Sequence, residues 1–188
     1  MSGQRPASEA LPGHRLSFGP YRVCLVCLGN ICRSPMAEVV LRDELARAGL
    51  AEAVTVESAG TGDWHVGERI YGPAGAELAR RGYDGSAHRA RQIEPSWLGD
   101  YDLLLAMDRG NFADLRRMAR GSDAAGRVRL LRSFDPGPAD DDPFGGEVPD
   151  PYGGHPSEYE RAFDLIHAAA KGLAQRLAEF LGAQPAGR

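Results

Sequence analysis

The stretch from Val23 to Glu38, V-C-L-V-C-L-G-N-I-C-R-S-P-M-A-E, constrains this chain more than any other, because an apolar strand there runs through a tight polar loop straight into a helix. Tyr21 to Cys27 is apolar and β-branched without alternation, the pattern of a parallel strand covered on both faces. Gly29 and Asn30 tolerate positive φ, so the loop from Leu28 to Arg33 can turn successive N–H groups inward. A helix starting near Pro35 adds the positive end of its dipole. Pro35 suits a first helical position, where a missing N–H costs nothing. This arrangement is an anion cradle, and everything downstream can be read as its support.

Helical and strand patterns alternate along the rest of the chain. A helix is expected over Pro35 to Ala48, with Met36, Val39, Val40 and Leu45 able to face a sheet and Gly49 as its stop. Val54 to Glu57 reads as a second strand. It is followed by the glycine-rich loop Ser58 to Gly67 and a helix from Pro73 to Arg81. Tyr101 to Met107 reads as a third strand, Asn111 to Arg120 as a helix, and Val128 to Phe134 as a fourth strand. A long acidic, proline-rich loop from Asp135 to Pro156 leads to Ser157-x-x-Glu160, a capping box opening a last helix that reaches about Leu181. Alternation of this kind implies a four-stranded parallel sheet, doubly wound, in a single three-layer αβα domain of the flavodoxin-like type. Ligands in such sheets sit beyond the carboxyl ends of the strands where the winding reverses, and Cys27 lies there.

Composition narrows the setting. A chain of 188 residues suits one core, expected over 21–182, with 1–20 a disordered tail and 183–188 a short C-terminal tail. Three cysteines clustered within Cys24 to Cys32 fit a reducing compartment, so a cytoplasmic location is expected, with export lacking a signal peptide left open. Net charge of -4 argues against nucleic acid as the main partner, and no membrane span or secretory signal is visible. No Cys and His quartet at ligand spacing suggests a metal, and no cofactor is called for.

The loop chemistry is that of a phosphoryl-transfer nucleophile. Arg33 carries a planar fork of donors that can grip two phosphoryl oxygens at once. The donors that hold an anion also stabilise a thiolate, so Cys27 is expected as a nucleophile ready at neutral pH. Expelling a basic leaving group from phosphorus benefits from a general acid, and three Asp-Pro pairs offer one: Asp135, Asp142 and Asp150. Residue chemistry alone does not rank them. Cys24-x-x-Cys27 could instead be a redox dithiol, but residues three apart on a strand point to opposite faces.

The full string C-L-G-N-I-C-R-S-P resembles the signature of the low-molecular-weight protein tyrosine phosphatases, in a bacterial, actinobacterial-like form. The resemblance covers about Tyr21 to Leu181. It implies a metal-independent protein tyrosine phosphatase working through a cysteinyl-phosphate, with Cys27 as nucleophile and Leu28, Gly29, Asn30, Ile31, Cys32, Arg33 and Ser34 around the phosphate. It places the general acid in V-P-D-P-Y-G, hence at Asp150, and leaves Asp135 and Asp142 as solvated turn carboxylates. Trp64 and Tyr152 are similar to the family's aromatic walls, Asn30, Ser34, Ser58 and His88 to positions that brace the loop, and Asp108 to a supporting carboxylate, a role a helix N-cap would explain equally well. Cys32 matches a position that can form a reversible disulfide with the nucleophile, and Cys24 is expected in the core. The resemblance further implies phosphotyrosyl protein substrates, a partner tyrosine kinase and a monomer. Gly153 stands where many members have a second tyrosine, and Glu68 to Ala74 lacks an Asp-Pro-Arg common in bacterial relatives. Two rivals share the scaffold. An arginine phosphatase carries Thr where this chain has Ile31, and an arsenate reductase needs further cysteines that Tyr83 to Gln92 lacks.

Overall fold

Strand β1 (Tyr21–Cys27) is the axis of the molecule, with parallel neighbours on both sides. The computed structural model describes residues 10–16, 18–137, 142 and 144–182. Strand β2 (Val54–Gly60) pairs along the whole of β1, from Tyr21 opposite Val54 to Cys27 opposite Gly60. Strand β3 (Leu103–Ala106) flanks the other side, and β4 (Val128–Leu130) forms the edge beyond it, giving the order β2-β1-β3-β4 with every pair parallel. The winding therefore reverses between β1 and β3, and the loops leaving those two strands diverge around a crevice.

The lack of alternation in β1 has a direct structural cause. Val23, Leu25 and Cys27 face a core shared with helices α1 (Arg33–Arg47), α2 (Gly72–Arg80) and α4 (Pro156–Gly182), through Met36, Val40, Leu78, Phe163 and Ile166. Cys24 and Val26 face a second core under α3 (Arg109–Met118), with Leu98, Tyr101 and Leu115. Both faces are dry, so apolar residues are needed at every position. Among the described residues no helix is long and apolar enough to cross a membrane.

Several boundaries differ from the sequence reading, each for a local reason. Strand β2 continues past Glu57 to Gly60 because its last residues lie beside the end of β1, where pairing outweighs the weak strand preference of Ser-Ala-Gly. The fourth strand stops at Leu130, and Leu131–Phe134 tightens into a 3-10 turn once β3 has no further partner to offer. Helix α1 begins at Arg33, so Pro35 is its third residue, still inside the turn whose N–H groups have no acceptor. The first helical N–H to bond is that of Met36, to the Cys32 carbonyl at 3.2 Å. Helix α4 is not opened by a Ser157 and Glu160 box. Pro156 starts it, Glu158 accepts from the His155 N–H at 2.7 Å, and Glu160 instead pairs with Arg80.

Residues 10–16, inside the segment expected as a disordered tail, lie against the domain, whereas 1–9 and 183–188 fall outside the described residues. The Tyr21 hydroxyl donates to the Pro12 carbonyl at 2.9 Å, and the Arg15 N–H donates to Asp102 at 2.6 Å. Apolar packing of Leu11 adds to this.

Gly172, in the interior of α4, marks the closest helix approach. A Cβ there would stand 2.0 Å from the Phe134 carbonyl oxygen. Alanine normally improves a helix interior by about 1 kcal/mol relative to glycine. Here the clash dominates, and Gly172→Ala is expected to lose about 1–3 kcal/mol of stability, read from the urea unfolding midpoint.

Candidate active site

The loop after β1 folds as a ring because Asn30 takes φ 54, a left-handed conformation that asparagine accepts more readily than most side chains. Its N–H then points at Cys27 Sγ, 3.2 Å away, while Ser34 Oγ sits 3.0 Å from the same sulfur. The Asn30 side chain ties the ring to the sheet. Its Nδ2 donates to Ser34 Oγ at 2.9 Å and to Ser58 Oγ at 3.0 Å, and its Oδ1 accepts from the Arg91 N–H at 2.9 Å. The Asn30 carbonyl accepts from His88 Nε2 at 2.7 Å. Burial lowers the His88 pKa, which favours the neutral ring, so the tautomer is set by this bond. Ser58 in turn donates to Glu38. Asn30 and Ser34 thus bond to each other within the loop, while Ser58 and His88 contact it from outside.

The end of β2 must come unusually close to this ring. Thr61 and Gly62 donate to the Cys27 and Leu28 carbonyls, each at 2.9 Å. A Cβ on Gly60 would stand 2.7 Å from the Leu28 oxygen and 3.0 Å from the Asn30 nitrogen, so only glycine fits. No sequence pattern singles out Gly60, because its constraint comes from a neighbour distant in the chain.

Arg33 is 2% exposed, and both of its terminal nitrogens are held from inside the protein. Its Nη1 donates to Asp108 at 2.6 Å and to the Val148 carbonyl at 3.1 Å, and its Nη2 donates to Asp150 at 3.0 Å. Burial works against the charge, but Cys27, Asp150 and Asp108 outweigh it and hold the guanidinium pKa above its ordinary value. Asp108 fills both roles its position suggested, since its other oxygen accepts from the Asn111 N–H at 2.7 Å and caps α3. Val148 fixes the loop that brings Asp150 here, its N–H donating to the Met107 carbonyl at 2.8 Å at the end of β3.

Asp135 and Asp142 lie elsewhere, but they are not solvated turn carboxylates. Both pair with Arg132, at 3.2 and 2.9 Å, and Asp142 also accepts from the Phe144 and Gly146 N–H groups at 3.0 and 2.7 Å. Burial alone would raise the Asp142 pKa, but these donors bring it below the usual carboxylate range. The pair folds the acidic loop and leaves Asp150 as the Asp-Pro carboxylate at the cavity.

The cavity holds about 140 Å³ and is floored by Cys27 and Cys32, with Leu28, Gly29, Ile31, Arg33 and Asp150 around it. Trp64 and Tyr152, 69% and 56% exposed, stand at its mouth together with His65. Tyr152 leans on Tyr71, with ring centroids 4.9 Å apart, and the Tyr71 N–H donates to the Ile31 carbonyl at 2.8 Å. Sequence reasoning missed Tyr71 and His65. Tyr71 carried no signal beyond being aromatic, whereas His65 follows Trp64 directly in the sequence. Among the described residues no group of three or more His, Cys, Asp or Glu side chains is placed to hold a metal.

The profile of the family described as low molecular weight phosphotyrosine protein phosphatase matches residues 22–181. The chain belongs to this family. A low-molecular-weight protein-tyrosine-phosphatase of Streptomyces coelicolor is 48% identical over 153 residues, covering 81% of this chain and 91% of the relative. Low-molecular-weight protein-tyrosine phosphatase A of Mycobacterium tuberculosis is 46% identical over 154 residues, covering 82% and 90%. Among solved structures, a protein tyrosine phosphatase of Entamoeba histolytica, crystallised with Hepes in its active site, superposes with a TM-score of 0.78 at 28% identity. It covers 86% of this chain and 99% of that one. The four-stranded sheet and the ring after β1 are thus a phosphatase-family scaffold.

The three cysteines differ in surroundings. Burial pushes the Cys24 thiol up to about 12 on the far side of β1, and burial, then the nearby Cys27, pushes Cys32 up to about 12. Neither is ionised at neutral pH, so iodoacetamide at about pH 7 should add one label per chain, at Cys27, and inorganic phosphate should slow it. Peptide mapping of the alkylated protein checks this, and a first label on Cys24 or Cys32 would contradict the arrangement.

Proposed function

We propose that this low-molecular-weight phosphatase hydrolyses phosphotyrosine in proteins through a covalent cysteinyl-phosphate. The observation that carries the reading is the position of Cys27 Sγ, on the cavity floor within reach of the Asn30 N–H and Ser34 Oγ, with the Arg33 guanidinium fixed beside it. The phosphoryl oxygens take the inward N–H groups of the loop and the Arg33 fork, which stabilise the charge of the transferring group. Cys27 attacks phosphorus, the S–P bond forms as the P–O bond to tyrosine breaks, and protonated Asp150 delivers its proton to the departing oxygen. Asp150 then takes a proton from water as that water attacks phosphorus, the S–P bond breaks, and the thiolate returns. Asp150 is already at hydrogen-bond distance from Arg33, so an arriving dianion need only displace one carboxylate contact.

The aromatic mouth formed by Trp64, Tyr152 and the supporting Tyr71 supports a flat phenyl group as the occupant, and Ile31 adds an apolar wall. This favours phosphotyrosine over phosphoarginine. A monomer working in the cytoplasm opposite a tyrosine kinase completes the reading.

Asp150→Asn tests it directly. The variant should lose about 10²- to 10⁴-fold in kcat on phosphotyrosine or phenyl phosphate, whose leaving groups need a proton, and much less on 4-nitrophenyl phosphate, which needs little help. Equal losses on both would remove Asp150 from the role of acid. Tyr71→Ala should raise KM for aryl phosphates about two- to tenfold through the slackened Tyr152 wall, leaving competitive inhibition by inorganic phosphate unchanged. Steady-state kinetics on the two ligand types separates wall from cradle.

A further inference from the structure

The acidic net charge of this chain conceals a basic face at the far end of α3. Between positions 110 and 130 stand five arginines and two aspartates, in a chain of 22 basic and 26 acidic residues. An open groove of about 810 Å³ runs there along Phe112, Arg116, Arg117, Arg120, Gly121 and Ala125. Among the described residues, Arg117 alone of the groove arginines has a carboxylate, Asp114 at 2.8 Å. Arg116 lies over the Phe112 ring, 5.9 Å from its centroid, and among the described residues Arg120 makes no ion pair.

Arg129, on the edge strand β4, adds a second sign of an unfilled requirement. Its Nη1 is occupied by the Gly126 and Val128 carbonyls at 2.8 and 2.9 Å, while its Nε is enclosed without a partner. Burial lowers its pKa, Tyr21 opposes that shift, and the Arg116 cation adds a smaller push in the same direction as burial. Such a cluster costs stability unless an anion comes to it.

We infer that this face docks an acidic segment of the phosphoprotein substrate, several residues away from the phosphotyrosine. The inference rests on the proposed phosphotyrosyl activity for its choice of partner. Helix α3 is capped by Asp108, which holds Arg33 at the cavity, and its ten residues carry the face about 15 Å from that point. An extended peptide covers that distance in about five residues. A chain held at its phosphotyrosine by the loop therefore reaches the groove with residues about five or more positions removed. Asp and Glu side chains there meet Arg116 and Arg120, whose exposed guanidinium groups lose little water on pairing, so the gain lies mainly in encounter rate and substrate choice.

The test uses the whole protein and paired peptides: a phosphotyrosyl peptide with an acidic run starting about six positions away, and its Asn/Gln counterpart. Arg116→Glu with Arg120→Glu should lower kcat/KM on the acidic peptide about tenfold at low ionic strength. It should leave the neutral peptide and 4-nitrophenyl phosphate unchanged, with an intermediate loss for the Gln pair. Salt of about 0.3 M should erase the wild-type preference. Anisotropy of the labelled acidic peptide without phosphate reports docking apart from catalysis. Equal binding of acidic and neutral peptides, unaltered binding by the Glu variant, or tighter binding of anionic vesicles or duplex DNA than of the acidic peptide would overturn the inference. Failure to turn over any aryl phosphate while that binding persists would instead count against the phosphatase reading alone.

Discussion

Everything at the cavity depends on one buried side-chain amide. Asn30 holds the ring after β1 in a left-handed turn and spends all three of its side-chain bonds on Ser34, Ser58 and the Arg91 backbone. A buried polar group so fully satisfied fixes a single geometry, because any other arrangement leaves donors or acceptors without partners. The ring therefore keeps the Asn30 N–H turned toward Cys27 Sγ. Preorganisation of this kind is what electrostatic stabilisation of a transferring phosphoryl group requires, since reorienting dipoles during the reaction would consume the gain.

Arg33 is organised by charge rather than by shape. A guanidinium this deeply buried would be costly alone, and two carboxylates from different loops offset that cost. Asp108 arrives from the end of β3 and Asp150 from the loop before α4, so the arginine joins the two sides of the crevice where the winding reverses. The contacts are unequal. Asp108 is locked by its second duty as the α3 cap, whereas Asp150, more exposed, is bound otherwise, among the described residues, only to the Tyr152 N–H. Asp150 is the partner free to turn toward a substrate oxygen.

Much of this was legible in the residues. The unbroken apolar run of Tyr21 to Cys27 required a strand buried on both faces, and the strands after it, separated by helical patterns, required a parallel sheet. Gly29, Asn30 and Arg33 pointed to an anion cradle from their own conformational and hydrogen-bonding preferences. The ranking of Asp150 over Asp135 and Asp142 was not available from chemistry, since all three precede proline. Only the tertiary arrangement of Arg132 shows the other two committed to folding the loop. The opening of α4 was misplaced because a Ser-x-x-Glu spacing is satisfied by chance more readily than by bonds.

What the sequence determined by itself is local: the strand, the turn that asparagine and glycine permit, the helix that follows, and the cysteine and arginine between them. These depend on neighbours a few positions away, whose preferences are written in order along the chain. The tertiary structure decided what depends on distance through space. It set Gly60 against the ring, Tyr71 under Tyr152, His88 on the Asn30 carbonyl, and Asp108 and Asp150 on Arg33. Such contacts join segments whose approach is fixed by the packing of the whole sheet, and no residue reveals its partner across that gap.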